Sequence, residues 1–404
     1  MLKNNLIVRE ECLRMVRPFI DVQMVKIIAG VRRCGKSYLL DMIADELLKR
    51  GIEKERIIYR MYTSIEVEEG FSARDMYHEL KDRMGDSGRY YLLLDEVQEI
   101  AGWEKTVNTL FETANVDIYV TGSNSKLTNE NISTYLSGRY ILLPMYTLSF
   151  REYLQFTGQA EANRDETYRM YVRLGGFPLL AASRIDNQQA YQIVEDIYHS
   201  VISKDILHNH PIRDIEKFDR VIRYIMDNMG RTFSAKSISD YLKSQQREIS
   251  TEMVYNYIKW LEDAFILYRC NRYDLQGREI MKTQEKYYLS DIAFRFALFG
   301  YQHTMDDAIL ENILYLELRR RGYTVYVGKN GNKEIDFVAV RQGETIHIQA
   351  TVQLPAGSGR EIENLEELQD HYHKYVVTTN RNDCETVNGI QVVHVTDFLL
   401  QENW

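Results

Sequence analysis

Val25-Lys26-Ile27-Ile28-Ala29-Gly30-Val31-Arg32-Arg33-Cys34-Gly35-Lys36-Ser37 decides the fold of the first part of this chain. Val25 to Ala29 is a short apolar run that reads as a buried strand. Gly30 to Ser37 matches G-x-x-x-x-G-K-[ST]. Tyr38 to Arg50 (YLLDMIADELLKR) follows with helical spacing. Strand, glycine-bounded loop and helix in that order make a phosphate cradle: the glycines let the backbone turn its N–H groups inward, and the helix adds the positive end of its dipole. The candidate nucleotide contacts are therefore Gly30, Val31, Arg32, Arg33, Cys34, Gly35, Lys36, Ser37 and Tyr38. Lys36 is expected to reach the β- and γ-phosphates and Ser37 to ligate Mg²⁺.

A second motif lies downstream. Tyr90-Tyr91-Leu92-Leu93-Leu94-Asp95-Glu96 is an apolar strand ending in two acids. Asp95 is the candidate Mg²⁺ ligand and Glu96 the residue that orients and activates water. Taken alone, two acids at a strand end are as often a solvated terminus. Paired with a full phosphate loop they suit ATP hydrolysis. Ile57 to Met61, a further strand-like run between the two motifs, suggests the additional-strand class of ATPases. The guanine-reading Asn-Lys-x-Asp pattern is absent. Ile118 to Gly122 reads as the next strand, and Ser123 and Asn124 at its end are candidates to sense the γ-phosphate, although Gly, Ser and Asn also favour plain turns.

Composition sets the outer bounds. At 404 residues the chain has room for two to four domains, and 45% hydrophobic with 27% charged residues is the balance of a folded globular protein. A net charge of −9 argues against a surface coated for nonspecific nucleic-acid binding. Cys12, Cys34, Cys270 and Cys384 are far apart and form no CxxC pair, so neither a disulfide framework nor a zinc site is expected. With no long apolar run and a charged start, the expected location is the cytoplasm, with no membrane partner.

From Val25 to Leu143, VKIIA, IIYRM, YLLLD, DIYVTG and YILLP alternate with helical patterns, which predicts an α/β domain with a parallel sheet. After Pro144 the spacing turns helical. Around Thr232 to Met281 the order is helix, turn, helix, hairpin, with Ser234 and Ser250 as helix caps, and this resembles a winged helix. Thr251, Glu252, Tyr255, Asn256 and Lys259 are expected to face outward and Val254, Ile258 and Leu261 inward. That face is weakly basic, so a protein contact or internal packing ranks ahead of DNA, while Arg269, Arg272, Arg278 and Lys282 keep DNA open. The tail returns to α/β with YTVYVG, EIDFVAV, TIHIQAT, KYVVTT and IQVVHV.

IIAGVRRCGKSYLL, YLLLDEVQEIAGWEK, YVTGSNSKL, YLSGRY and LSFREYL together resemble a bacterial and archaeal family of AAA-type ATPases of the archaeal and signal-transducing branch, over nearly the whole chain. The resemblance implies an AAA-like P-loop core joined to a C-terminal domain of unknown function similar to restriction-endonuclease folds; with the changes in spacing, the expected domains are the core (1–150), a helical lid (151–225), a winged-helix-like domain (226–298) and the C-terminal α/β domain (299–404), expected to be catalytically degenerate. It implies a sensor at Thr121 to Asn124. It likens Leu174 to Pro178 (LGGFP) to a Gly-x-Pro motif, with Gly176 and Pro178 on adenine; as residues alone they read as a helix breaker. Arg139 becomes a candidate contact for phosphate or for a neighbouring subunit of a homo-oligomer, and a surface salt bridge is the competing reading. In the tail, Glu317, Glu334, Asp336 and His347 to Thr351 resemble a nuclease strand pattern in which Gln349 stands for an acid and Thr351 for the lysine, so cleavage of DNA is not expected. The expected activity is Mg²⁺-dependent ATP hydrolysis that drives or gates the accessory domains. The alternative is a nucleotide-gated DNA- or protein-binding regulator or defence switch with little turnover.

Overall fold

A computed structural model describes residues 7–63, 67, 69–85, 87–123, 135–159, 163–183, 185–281, 284–300, 306–354 and 359–402. The chain divides into two compact units, the first comprising residues 1–147 with 263–265 and the second the remainder.

The first unit is built on a five-stranded sheet of β1 (Val25–Ala29), β2 (Ile57–Met61), β3 (Tyr90–Asp95), β4 (Val116–Gly122) and β5 (Tyr140–Pro144). These are the five runs read as strands. All pairings are parallel and the order is β2-β3-β4-β1-β5. Every residue of β1 and β4 is buried, as expected where helices cover both faces of a parallel sheet. Helix Lys36–Lys49 buries Leu39, Leu40, Met42, Ile43 and Leu47, and helix Trp103–Thr113 buries Trp103, Val107 and Leu110. The core on one side of the sheet joins Ile27, Ala29, Leu92, Leu94, Ile118 and Val120 to Met76, Leu80 and Trp103. An extra strand does separate the loop-bearing β1 from the acid-bearing β3, but it is β4. β2, which lies between the motifs in sequence, sits at the sheet edge beside β3, because a βαβ crossover leaves sequence neighbours free to be separated in space.

The second unit begins with helices. Phe150–Thr157, Arg164–Leu174 and Asn187–Ser200 precede a trio, Ile215–Asp227, Ala235–Ser244 and Thr251–Asp263. Ser234 caps the second of that trio by accepting from Ser237 N, and Ser250 accepts from Met253 N at 3.1 Å to start the third. After them come β6 (Leu267–Cys270), β7 (Arg272–Asp274), β8 (Glu279–Ile280) and β9 (Lys286–Leu289). β6 and β9 pair only with each other, whereas β7 and β8 join an eight-stranded sheet. The rest of that sheet is β10 (Thr324–Asn330), β11 (Lys333–Arg341), β12 (Glu344–Thr351), β13 (His373–Thr378), β14 (Thr386–Val387) and β15 (Ile390–His394), in the order β14-β15-β13-β12-β11-β10-β7-β8. The hairpin read as a wing and the strands read as a separate tail therefore share one sheet, through Val327 paired with Arg272.

Candidate nucleotide site

β1 ends at Ala29 and the chain turns at Gly30, where a side chain has no room: a Cβ there would lie 2.0 Å from the Met145 carbonyl oxygen. Met145 N in turn donates to Ala29 O at 2.7 Å, so the backbone leaving β5 is pressed against the start of the loop. Gly35 sits at φ 108°, a left-handed conformation that costs a glycine little, and it is the N-cap of helix Lys36–Lys49 with no side-chain cap. With glycine at the N-cap, no capping side chain takes up the first N–H groups of that helix, which is the arrangement a phosphate completes.

Lys36 is buried, and its ammonium donates to Gly30 O at 3.0 Å and Val31 O at 3.2 Å and lies 3.9 Å from Glu96 Oε1. β3 delivers the two acids. Asp95 is 1% exposed and its partners among the described residues are hydroxyls: Thr121 Oγ1 donates to Oδ1 and Tyr59 OH to Oδ2 at 3.2 Å. A buried carboxylate with only neutral donors still calls for a cation, and with Ser37 at the head of the helix the donor set fits Mg²⁺. Glu96 is held at φ 53°, ψ 49°, a left-handed conformation rare outside glycine. Its N–H donates to Thr121 Oγ1 at 3.0 Å, and Gln98 Nε2 donates to its carboxylate. Such strain persists where surrounding contacts over-determine it.

Arg9, Tyr59 and Gln98 carry the site without having stood out in the sequence, and Thr121, read there as part of a sensor stretch, contacts both acids. Arg9 is 3% exposed and fastens the loop from outside: its guanidinium donates to Cys34 O at 2.8 Å, to Tyr146 O at 3.1 Å and to Thr147 O at 3.3 Å. Thr121, Tyr59 and Gln98 orient the acids. Only the β4–β3 register places Thr121 beside Asp95, and no local pattern announces it. Ser123 is fully buried and accepts from Arg32 at 3.4 Å, so it lies against the phosphate loop. Arg33 is exposed at φ 67°, Val31 and Cys34 are fully buried, and Tyr38 is 47% exposed. Asn124 lies outside the described residues.

Arg139 is elsewhere. It precedes β5, and its carbonyl accepts from Val25 N at the opposite end of β1 from the loop. Five strand residues at about 3.3 Å each put it roughly 16 Å from its own phosphate site. It pairs there with Glu112 and donates to Asn108 at 2.7 Å. Contact with its own chain's phosphate is thereby corrected. Gly176 and Pro178 belong to the second unit. Gly176 N donates to Asp291 Oδ2 at 2.8 Å, its carbonyl accepts from Leu148 N at 2.7 Å, and Pro178 opens helix Pro178–Ala182. These bonds account for the motif as a helix break clasped by Asp291.

A family model described as AAA domain matches residues 22–154, and one described as Domain of unknown function (DUF8612) matches residues 165–304. An uncharacterized protein of Haemophilus influenzae is 35% identical over 98% of this chain and 99% of its own length. The chain belongs to the AAA-type P-loop ATPases. Its likeness extends to an uncharacterized protein of Methanocaldococcus jannaschii, 27% identical over 94% of this chain and 88% of the other. The fold of this AAA-type ATPase is also similar to that of a solved Walker-type ATPase of Pyrococcus abyssi, with a TM-score of 0.51 and 16% identity over 72% of this chain and 96% of that one. Nucleotide binding and hydrolysis are the chemistry that AAA-type ATPases share.

Proposed function

We propose that the chain is a Mg²⁺-dependent ATPase whose nucleotide state is passed to the second unit. The observation that carries the catalytic part is the approach of Lys36 and Glu96 to 3.9 Å beside an uncapped helix N-terminus: a cation for phosphate and a carboxylate for water face the same small space. Lys36 offsets the charge that grows on the γ-phosphoryl oxygens, and the loop N–H groups hold the β-phosphate. Glu96 accepts a hydrogen bond from the attacking water and orients it in line with the bond that breaks, as the oxygen–phosphorus bond to water forms and ADP leaves. Ser37 and Asp95 would hold Mg²⁺, which would supply positive charge to offset that of the phosphates. Ser123, against Arg32 of the loop, reports on the γ-phosphate, with Asn124 as the other sensor candidate. Tyr38, exposed at the start of the helix that follows the loop, contacts the nucleoside.

A homo-oligomer in which Arg139 reaches a neighbour's site rests on the family resemblance and requires Arg139 to leave its pair with Glu112. Of the possible outer partners, a protein is favoured over DNA. Glu252, Met253, Tyr255 and Lys259 form the exposed face of helix Thr251–Asp263, one acid against one base. Arg269 is already engaged with Glu262 at 2.9 and 2.8 Å, and Lys282 lies outside the described residues. Steady-state ATP hydrolysis by wild type and Glu96→Gln, across protein concentrations and with or without duplex DNA, tests the reading. Turnover that needs Glu96 supports it. Tight ATP binding with no turnover above the variant would replace it with a nucleotide-gated binding module.

A further inference from the structure

Lys286 opens β9, yet its ammonium ends among acids from other elements of the second unit. It lies 2.9 Å from Glu334 Oε1, 3.0 Å from Glu311 Oε2 and 3.7 Å from Asp336 Oδ1. Glu311 comes from helix Asp306–Arg320, and Glu334 and Asp336 from β11. Tyr288 OH donates to the same Glu311 oxygen at 2.9 Å, and only 2% of Lys286 is exposed.

This is where a nuclease-like sheet would hold its metal, and the residues present do not fit one. Glu317, the helix acid expected from the sequence, is instead paired with Arg321 at 2.7 Å and Arg320 at 3.5 Å; Glu311, earlier on the same helix, is the acid beside Asp336. Gln349 is neutral and both ends of its amide are engaged with β11, Oε1 accepting from Asp336 N at 2.8 Å and Nε2 donating to Glu334 O at 3.2 Å. Thr351 donates to Gln353 O at 3.0 Å. No group of three or more acidic, histidine or cysteine side chains among the described residues is arranged to hold a metal ion. An ammonium already stands at the centre, and it would repel a divalent cation over the short distances between these groups.

We propose that Lys286 is the resident cation of this carboxylate cluster, occupying the place a metal would take, so that the cluster is a metal-independent clasp between β9 and β11 rather than a phosphodiester-cleaving centre. Charge balance agrees with the geometry. Burial opposes a charged lysine, but the three carboxylates outweigh it and hold the Lys286 pKa above the ordinary value. Burial raises Asp336, and burial with Asp336 beside it pushes Glu311 up to about 8, so the excess negative charge is reduced by a proton.

The test counts bound Mn²⁺ by the resonance of the free ion, on nucleotide-free full-length protein carrying Ser37→Ala and Asp95→Asn to silence the first unit's site. This parent is expected to bind none through the cluster. Adding Lys286→Ala is expected to create one Mn²⁺ site per chain, which Asp336→Asn then removes. A parent that binds one Mn²⁺ lost with Asp336→Asn overturns the proposal, as does a folded Lys286→Ala protein that binds none. Should Lys286→Ala not fold, thermal unfolding of Lys286→Met with and without Glu334→Gln decides: removing the second charge is expected to recover stability, and equal or lower stability overturns the clasp.

Discussion

Thr121 Oγ1 accepts the Glu96 N–H at 3.0 Å while donating its own proton to Asp95, so one hydroxyl sets the positions of both acids. The hydroxyl stands on β4, the neighbour of β3, and is fully buried. This bond ties down the left-handed backbone of Glu96, and the one from Gln98 orients its carboxylate.

Thr121→Val retains the shape and removes both bonds. The bond to the charged Asp95 carboxylate is worth about 1.5–3 kcal/mol and the one from the neutral Glu96 N–H about 0.5–1.5 kcal/mol, so both acids lose their orientation. We expect kcat for ATP hydrolysis to fall roughly 10- to 100-fold with KM changed little, and Thr121→Ser to recover most of the rate. Steady-state kinetics of the two variants make the check.

Arg9 joins Cys34 O in the loop to Tyr146 O and Thr147 O beyond β5. Arg9→Met leaves these acceptors without their donor, at about 1–3 kcal/mol for each that stays unsatisfied, and Arg9→Lys cannot reproduce a planar fork that bonds several carbonyls. The expected result is a weaker ATP complex with a lowered unfolding midpoint for both variants. Equilibrium nucleotide binding and denaturant titration measure the two effects.

Gly30→Ala drives a methyl group into backbone, the Met145 carbonyl at 2.0 Å, which cannot swing aside as a side chain would. Overpacking of this kind costs roughly 1–3 kcal/mol, and here the loop itself must shift. ATP binding should be lost while far-UV circular dichroism retains the native signal. Wild-type affinity would show that the loop can relax.

The pH dependence of stability carries a signature of the second unit's acid cluster. Glu311 is pushed up to about 8 by burial and by Asp336. A carboxyl whose folded pKa lies above its unfolded value near 4.3 binds its proton more tightly when folded. Its contribution is complete below that unfolded value and is lost as pH rises through about 8. Melting temperature should decline from pH 5 toward pH 9, and Glu311→Gln should flatten that decline. An unchanged slope in the variant would place the titration elsewhere.

The two nucleotide motifs were legible because each is a local backbone device. A phosphate loop needs its glycines, lysine and serine within eight consecutive residues, and an acid-bearing strand announces itself by its apolar run. The five strands of the first unit were readable for the same reason: each is a short run of apolar residues between polar punctuation. Arg9 and Lys286 were not readable, since each acts on residues far along the chain and neither sits in a pattern of its own; Thr121 was legible only as part of a sensor stretch, not as the hydroxyl that holds both acids. Glu317 misled because spacing along a helix does not say which turn faces the sheet, and the arginines at 320 and 321 claim it.

The sequence by itself determined that a glycine-bounded loop of phosphate-binding pattern and a strand ending in two acids exist, and that they stand on a parallel sheet, because those features follow from residue type and short-range geometry. Tertiary structure alone decided that β4, not β2, stands between the loop strand and the acid strand. It alone set Arg139 at the far end of the sheet and brought Lys286 into a distant set of carboxylates. Strand order, register and the convergence of buried charges depend on how whole elements pack, and the free energy that settles them is shared among residues the chain does not place side by side.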